Sequence, residues 1–229
     1  PGDRGGHERD APADPRARAR PAGRDLAVPA GRYAVLREDA TQGGTEEFRS
    51  APGPMGWRYF SDIETTEPVP HHEIVDVVVD ETWRPVRLRV DTGAHRLLLE
   101  AAGDRLTGEL DGERIETPWH PAMHLDYLSP AFNAVRCRRL GATTEIEVIF
   151  VQPYTLEPVV ERQRYDLLGE ENIDTPVGAF ASTRWHYTSL GTGWNADLWV
   201  AADVVVAYER LFRLEWYEAG ASGPQTLAP

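Results

Sequence analysis

The sequence predicts an all-β protein, an antiparallel up-and-down β-barrel or half-barrel of roughly ten to twelve strands enclosing a cavity. Three observations predict it. Short apolar–polar alternations recur from Gly31 onward, turn residues punctuate them, and no long stretch repeats at the helical period. Candidate strands fall at 31–38, 45–50, 56–63, 73–80, 84–91, 94–101, 104–110, 113–117, 143–151, 159–168, 179–189, 194–201 and 203–217, some of them divisible.

Each element has a local reason. "RPVRLRV" sets Val86, Leu88 and Val90 on one face and Arg87 and Arg89 on the other. "TEIEVIFV" does the same with Ile146, Val148 and Phe150, and "FRLEWYE" with Phe212, Leu214 and Trp216. A period of two belongs to the strand, whose successive side chains point to opposite faces. Asp91-Thr92-Gly93 and Gly191-Thr192-Gly193 mark turns. Asp111-Gly112 is the strongest hairpin signal, because both central positions of a type I′ turn need positive φ. Two stretches depart from the pattern. "PAFNAVRCRRL" could begin as a helical turn, and Pro158 in "TLEPVVERQRYDLL" argues for an extended edge strand. A large up-and-down sheet curls to remove its edges, and its interior then exceeds what its own side chains fill.

Composition narrows the partners. The chain has 229 residues, enough for one large β domain or two small ones, and carries a formal charge of −13. All 24 of its basic side chains are arginine, a bias read first as codon usage. The acidic body argues against a nucleic-acid groove or an anionic membrane surface. No apolar run is long enough for a membrane-spanning helix. The single cysteine, Cys137, rules out an internal disulfide and favours a cytoplasmic location. Residues 1–25, rich in Pro, Gly, Ala and Arg, read as a disordered tail, 26–218 as one β-barrel domain, and 219–229 as a flexible C-terminal tail. Nothing in the sequence fixes the oligomeric state.

The stretch "LDYLSPAFNAVRCRRL", with Asp126, Pro130, Asn133, Arg138, Arg139 and Leu140, resembles the Putative glycolipid-binding family of bacterial proteins. So does "YTLEPVVERQRYDLL", with Gln163, Arg164 and Tyr165. The chain departs from that pattern where a proline usually precedes the arginines, having Val135 to Cys137 there. The resemblance implies a curled antiparallel sheet akin to bacterial lipoprotein carriers, with a cavity for an apolar ligand.

Candidate site residues follow from chemistry. Three arginines end the first stretch; on a strand Arg136 and Arg138 would share a face opposite Arg139, so at least one would point inward. A buried guanidinium must be paired, and Asp126 is the natural partner. Asn133, Arg138 and Arg139 are candidate ligand contacts. "WHPAMHLDY" supplies His124, Asp126 and Tyr127 as candidates for proton transfer. Its histidines, His120 and His124, have zinc-like spacing, but Pro121 interrupts them and no third ligand follows, so no metal is expected. Trp57, Tyr59, Trp119, Trp185, Tyr187 and Trp199 are the candidate aromatic walls. No phosphate loop, Gly-x-Ser-x-Gly elbow or Cys-x-x-Cys occurs, and no cofactor is called for. Two readings result: a protein that binds a hydrophobic lipid-like or polyketide-like molecule inside the barrel, or a cofactor-free cyclase, such as a pericyclase of natural-product biosynthesis, that uses the same cavity to enforce a reactive fold.

Overall fold

The computed structural model describes residues 28–53, 56–66 and 70–220. The arginine-rich segment read as a tail lies outside the described residues, as does most of 219–229. The N-terminal arm comprises β1 (Ala30–Leu36), β2 (Gln42–Gly53), β3 (Gly56–Thr65), β4 (His71–Val79), β5 (Pro85–Asp91), β6 (Arg96–Ala102), β7 (Arg105–Leu110) and β8 (Glu113–Pro118). A short β9 (His124–Asp126) and one helix, α1 (Pro130–Arg139), follow. The C-terminal arm comprises β10 (Thr144–Val151), β11 (Pro158–Thr175), β12 (Gly178–Ser189), β13 (Asn195–Ala201), β14 (Val204–Tyr208) and β15 (Phe212–Glu218).

All fifteen strands form one sheet, in the order β8-β7-β6-β5-β4-β3-β2-β1-β15-β14-β13-β12-β11-β10-β9. The all-β, mostly antiparallel class is thus as the sequence predicts, but the sheet has more strands than expected and is not closed. Its middle seam is β1 against β15, from Ala30↔Glu218 to Val35↔Phe212. Its two edges, β8 and β9, are consecutive in the chain, joined only by residues 119–123. Laid flat, fifteen strands would span ~65 Å, whereas such a short link reaches ~20 Å. The sheet must therefore curl until its edges nearly meet. Side chains tie the two arms together across the interior. Trp57 Nε1 donates to Asp203 (2.8 Å), Tyr127 Oη to Glu73 (2.8 Å) and Ser129 Oγ to Glu46 (2.7 Å). The guanidinium of Arg138 lies 5.6 Å from the ring centre of Trp83.

Several local expectations change. The span 203–217 divides into β14 and β15, and β9, only three residues long, is too short to leave a periodic trace. β11 is not an edge strand, because β12 pairs with it from Gln163 on, but Pro158, its first residue, pairs only with Val151 of β10 and has no strand on its other side. Val86 and Trp216 are exposed rather than sharing a buried face with their neighbours. The register shifts between Val78 and Val79 opposite β5, and between Arg32 and Tyr33 opposite β15, and each irregularity reverses the in–out parity on one side of it. The Asp111-Gly112 hairpin has the expected form, with φ of 55° and 83° between β7 and β8.

The largest correction is α1. Arg136, Arg138 and Arg139 lie on a helix, not a strand, so Arg136 and Arg138 do not share a face. Ser129 caps it, Pro130 opens it, and its last turn holds all three arginines, where positive charge meets the negative end of the helix dipole. Its residues from Pro130 to Cys137 are all buried, packed against β14 and β9. A helix wrapped this completely has little polar face, and so lacks the amphipathic period that announces a surface helix.

Candidate functional site

The site forms where β9 and α1 meet the C-terminal arm. Arg136 is fully buried, and one of its amino groups, Nη2, lies 2.8 Å from Asp126 Oδ1 and donates to the Leu125 carbonyl (3.0 Å). The other, Nη1, donates to the hydroxyl of Tyr165, which in turn donates to Asn133 Oδ1 (2.8 Å). Gln163 Nε2 donates to the second oxygen of Asp126 (2.5 Å). Burial works against the Arg136 charge, yet Asp126 and Tyr165 outweigh it and hold its pKa above the ordinary value. The Arg–Asp pair expected from the sequence is therefore present, and the inward arginine is Arg136. Gln163 and Tyr165 belong to the same network, on the inward face of β11.

Above this network lies a cavity of about 260 Å³. Tyr127, Phe150, Tyr187, Trp194, Tyr208 and Phe212 wall it, and Asp126, Ser129, Asn133, Glu161, Ser189 and Thr192 supply its polar groups. Leu128, half exposed, sits on its lining. Tyr127, Tyr187 and Tyr208 all have pKa values raised, first by burial, so their hydroxyls stay neutral donors. Burial, then the nearby Asp126, also raises the pKa of Glu161.

Of the candidate residues, Asp126, Tyr127, Asn133 and Tyr187 are brought together at this cavity. The others are placed elsewhere. His124 and Arg139 line a separate hollow, with Arg139 Nη1 3.5 Å from His124 Nδ1 and also donating to the Met123 carbonyl (3.1 Å). Burial, with Arg136 and Arg139 adding to it, lowers the His124 pKa to about 2, so its ring is neutral at ordinary pH. Arg138 and Trp185 line a third hollow with Cys137, whose thiol burial pushes up to about 12. Trp57 and Tyr59 are buried in the N-terminal arm, where Tyr59 donates to Glu46 (2.9 Å). Trp119 is buried, and its backbone N–H donates to the Asp104 carbonyl (3.0 Å). Trp199 donates to Glu171, with Arg184 over its ring. Sequence reading gave no site role to Phe150, Phe212 or Glu161, and saw Trp194 and Tyr208 only as members of the chain's wider aromatic set. Among the described residues no group of three or more His, Cys, Asp or Glu is placed to hold a metal ion, and no helix is long and apolar enough to cross a membrane.

A curled, barrel-like sheet around a cavity of this kind defines, at the coarse level, a ligand-binding barrel. The profile described as Putative glycolipid-binding matches residues 37–213, most of the chain, and the chain belongs to that family. A crystal structure of a DUF1089 family protein from Pseudomonas aeruginosa is similar at 22% identity and a TM-score of 0.54, covering 72% of this chain and 91% of that one. A beta-barrel-like protein of the DUF1849 domain from Brucella abortus is similar at 6% identity and a TM-score of 0.51, covering 84% and 98%. At these identities the likeness is one of fold. No curated protein matches the chain.

Proposed function

We propose that the protein binds an amphiphilic, lipid-like or polyketide-like small molecule, with its head in the cavity above Asp126 and its apolar remainder leaving past Leu128. One observation carries this reading: six aromatic rings enclose a space into which only a few polar groups converge. That is how small-molecule sites achieve both affinity and orientation. The cavity, at about 260 Å³, is just below the roughly 300–1,000 Å³ usual for such sites, so it suits a head group and a short stem rather than a whole lipid. The cytoplasmic setting read from the lone cysteine belongs to the same proposal. The test is native mass spectrometry of the purified chain, followed by solvent extraction and identification of what co-purified. A set of related amphiphiles supports the reading, and a chain that arrives empty and takes up none counts against it.

The polar groups gathered at one end, Asp126, Tyr127 and Asn133, favour a second reading, a cofactor-free cyclase that folds its substrate in the same space. A single cyclised metabolite in the extract would favour it. Asp126→Asn would then slow turnover in a folded protein, and unchanged turnover would remove Asp126 from that chemistry.

A further inference from the structure

The charges of the cavity are all of one sign. Among the described residues, its only charged lining groups are Asp126 and Glu161, with no arginine or histidine. Arg136 beneath the floor spends both amino groups on Asp126, the Leu125 carbonyl and Tyr165, and its Nε, which has no partner, is buried away from the cavity lining. Asp126 is thereby compensated. Glu161 is not: among the described residues its carboxylate has neither a hydrogen bond nor an ion pair. It stands half-buried on the inward face of β11, close enough to Asp126 to feel its charge.

The helix start that borders the cavity offers nothing to an anion. Pro130 has no N–H, while Ala131 and Phe132 both donate to Ser129, to its hydroxyl and its carbonyl (3.3 Å each). The usual anion-binding amides of a helix N-terminus are thus already used.

The walls point the same way. Tyr187 and Trp194 have ring centres 5.6 Å apart, Trp194 and Tyr208 6.2 Å, and Tyr208 and Phe212 6.2 Å. Successive planes are inclined by 55°, 61° and 45°, so the four rings bend around the space instead of stacking flat. Ring faces are electron-rich; the Arg210 guanidinium already lies 5.6 Å from the ring centre of Trp194, and a ligand cation among the remaining faces, with a carboxylate beside it, is held without a single directional hydrogen bond.

We propose that the cavity selects the ammonium head of a cationic amphiphile, placed between Glu161 and the rings of Tyr187, Trp194, Tyr208 and Phe212. The proposal rests on the reading of this cavity as an amphiphile site and adds the chemistry of the head group. A neutral polyol head would leave the Glu161 charge uncompensated, and an anionic head would face two carboxylates and, among the described lining residues, no cation.

The experiment titrates the full chain, by calorimetry, with three short-chain amphiphiles below their micelle concentrations: hexyltrimethylammonium, hexyl glucoside and hexyl sulfate. Hexyltrimethylammonium is expected to bind roughly tenfold tighter than either of the others, and to lose roughly tenfold in Glu161→Gln. Circular dichroism establishes that the variant is folded. Glucoside or sulfate binding as tightly as the ammonium compound overturns the head-group assignment and leaves the cavity as a binding site. Undiminished ammonium affinity in Glu161→Gln overturns it too. If none of the three binds, the amphiphile reading itself fails, and this inference with it.

Discussion

Glu46 gives the sharpest test of the interior. It lies in β2 with no exposed surface. Oε1 accepts from Tyr59 (2.9 Å) and Ser129 (2.7 Å), while Oε2 has no partner. Burial outweighs the help of Ser129, Tyr59 and Ser61, and Glu73 adds a like charge, so the carboxyl titrates near about 7 instead of 4.5. An acid whose pKa is raised by folding binds its proton more tightly in the folded than in the unfolded chain. Its contribution to stability is therefore complete below 4.5 and is lost as pH rises through about 7. A displacement of this size corresponds to about 3 kcal/mol. Glu46→Gln removes the titration and keeps the shape. Urea unfolding followed by tryptophan fluorescence, from about pH 4 to about pH 8, measures both proteins; their difference cancels every other titrating group. The stability of the variant relative to the parent is expected to rise by about 3 kcal/mol across that interval and to be flat outside it. A difference independent of pH would refute the reasoning, because it would mean that Glu46 carries the same charge in the folded and unfolded chains.

Two further outcomes are expected. Arg136→Met leaves Asp126 buried beside Gln163 without its cation, and a loss of about 3–5 kcal/mol in denaturant unfolding is expected; a loss under about 1 kcal/mol would show that the pair does not hold β9 to α1. His124, its pKa lowered to about 2, is expected to show no imidazole titration in proton NMR from about pH 8 to about pH 4. Because the unfolded ring binds a proton below about 6.5 and the folded one does not, this group lowers stability as pH falls, opposite in sign to Glu46.

The alternating strands were legible because one buried face per strand imposes a period of two: Trp57 and Tyr59 do share the inward face of β3, as Trp185 and Tyr187 do of β12. Legibility failed where a register shift broke that period, at Val86 and Trp216, and where α1, wrapped on almost every side, lost the polar face that marks a helix. The pairing of a buried arginine with Asp126 could be anticipated from the cost of an unpaired charge, but which arginine turns inward depended on whether the stretch was strand or helix. The cavity was only half visible. Asp126, Tyr127 and Asn133 sit close together in sequence, and Tyr187 on a patterned strand, whereas Trp194 lies in the turn between β12 and β13 and Phe212 opens β15, both far in sequence from β9 and α1 and brought to them only by the fold.

The seam between β1 and β15 joins residues from opposite ends of the described chain, Ala30 beside Glu218, while all other neighbours among the described strands are successive ones. That contrast sets an order of events in folding. Each arm can zip up hairpin by hairpin through contacts near in sequence, at little cost in chain entropy. The seam must instead await the meeting of two nearly finished arms, and only then do Trp57, Tyr127 and Ser129 find their partners across the interior. The ligand cavity, built from β9, α1 and the C-terminal arm down to Phe212, is thus made mostly of contacts that form before the seam closes. Substitutions in β1 that weaken the seam are accordingly expected to slow the last folding step more than they disturb the walls of the cavity.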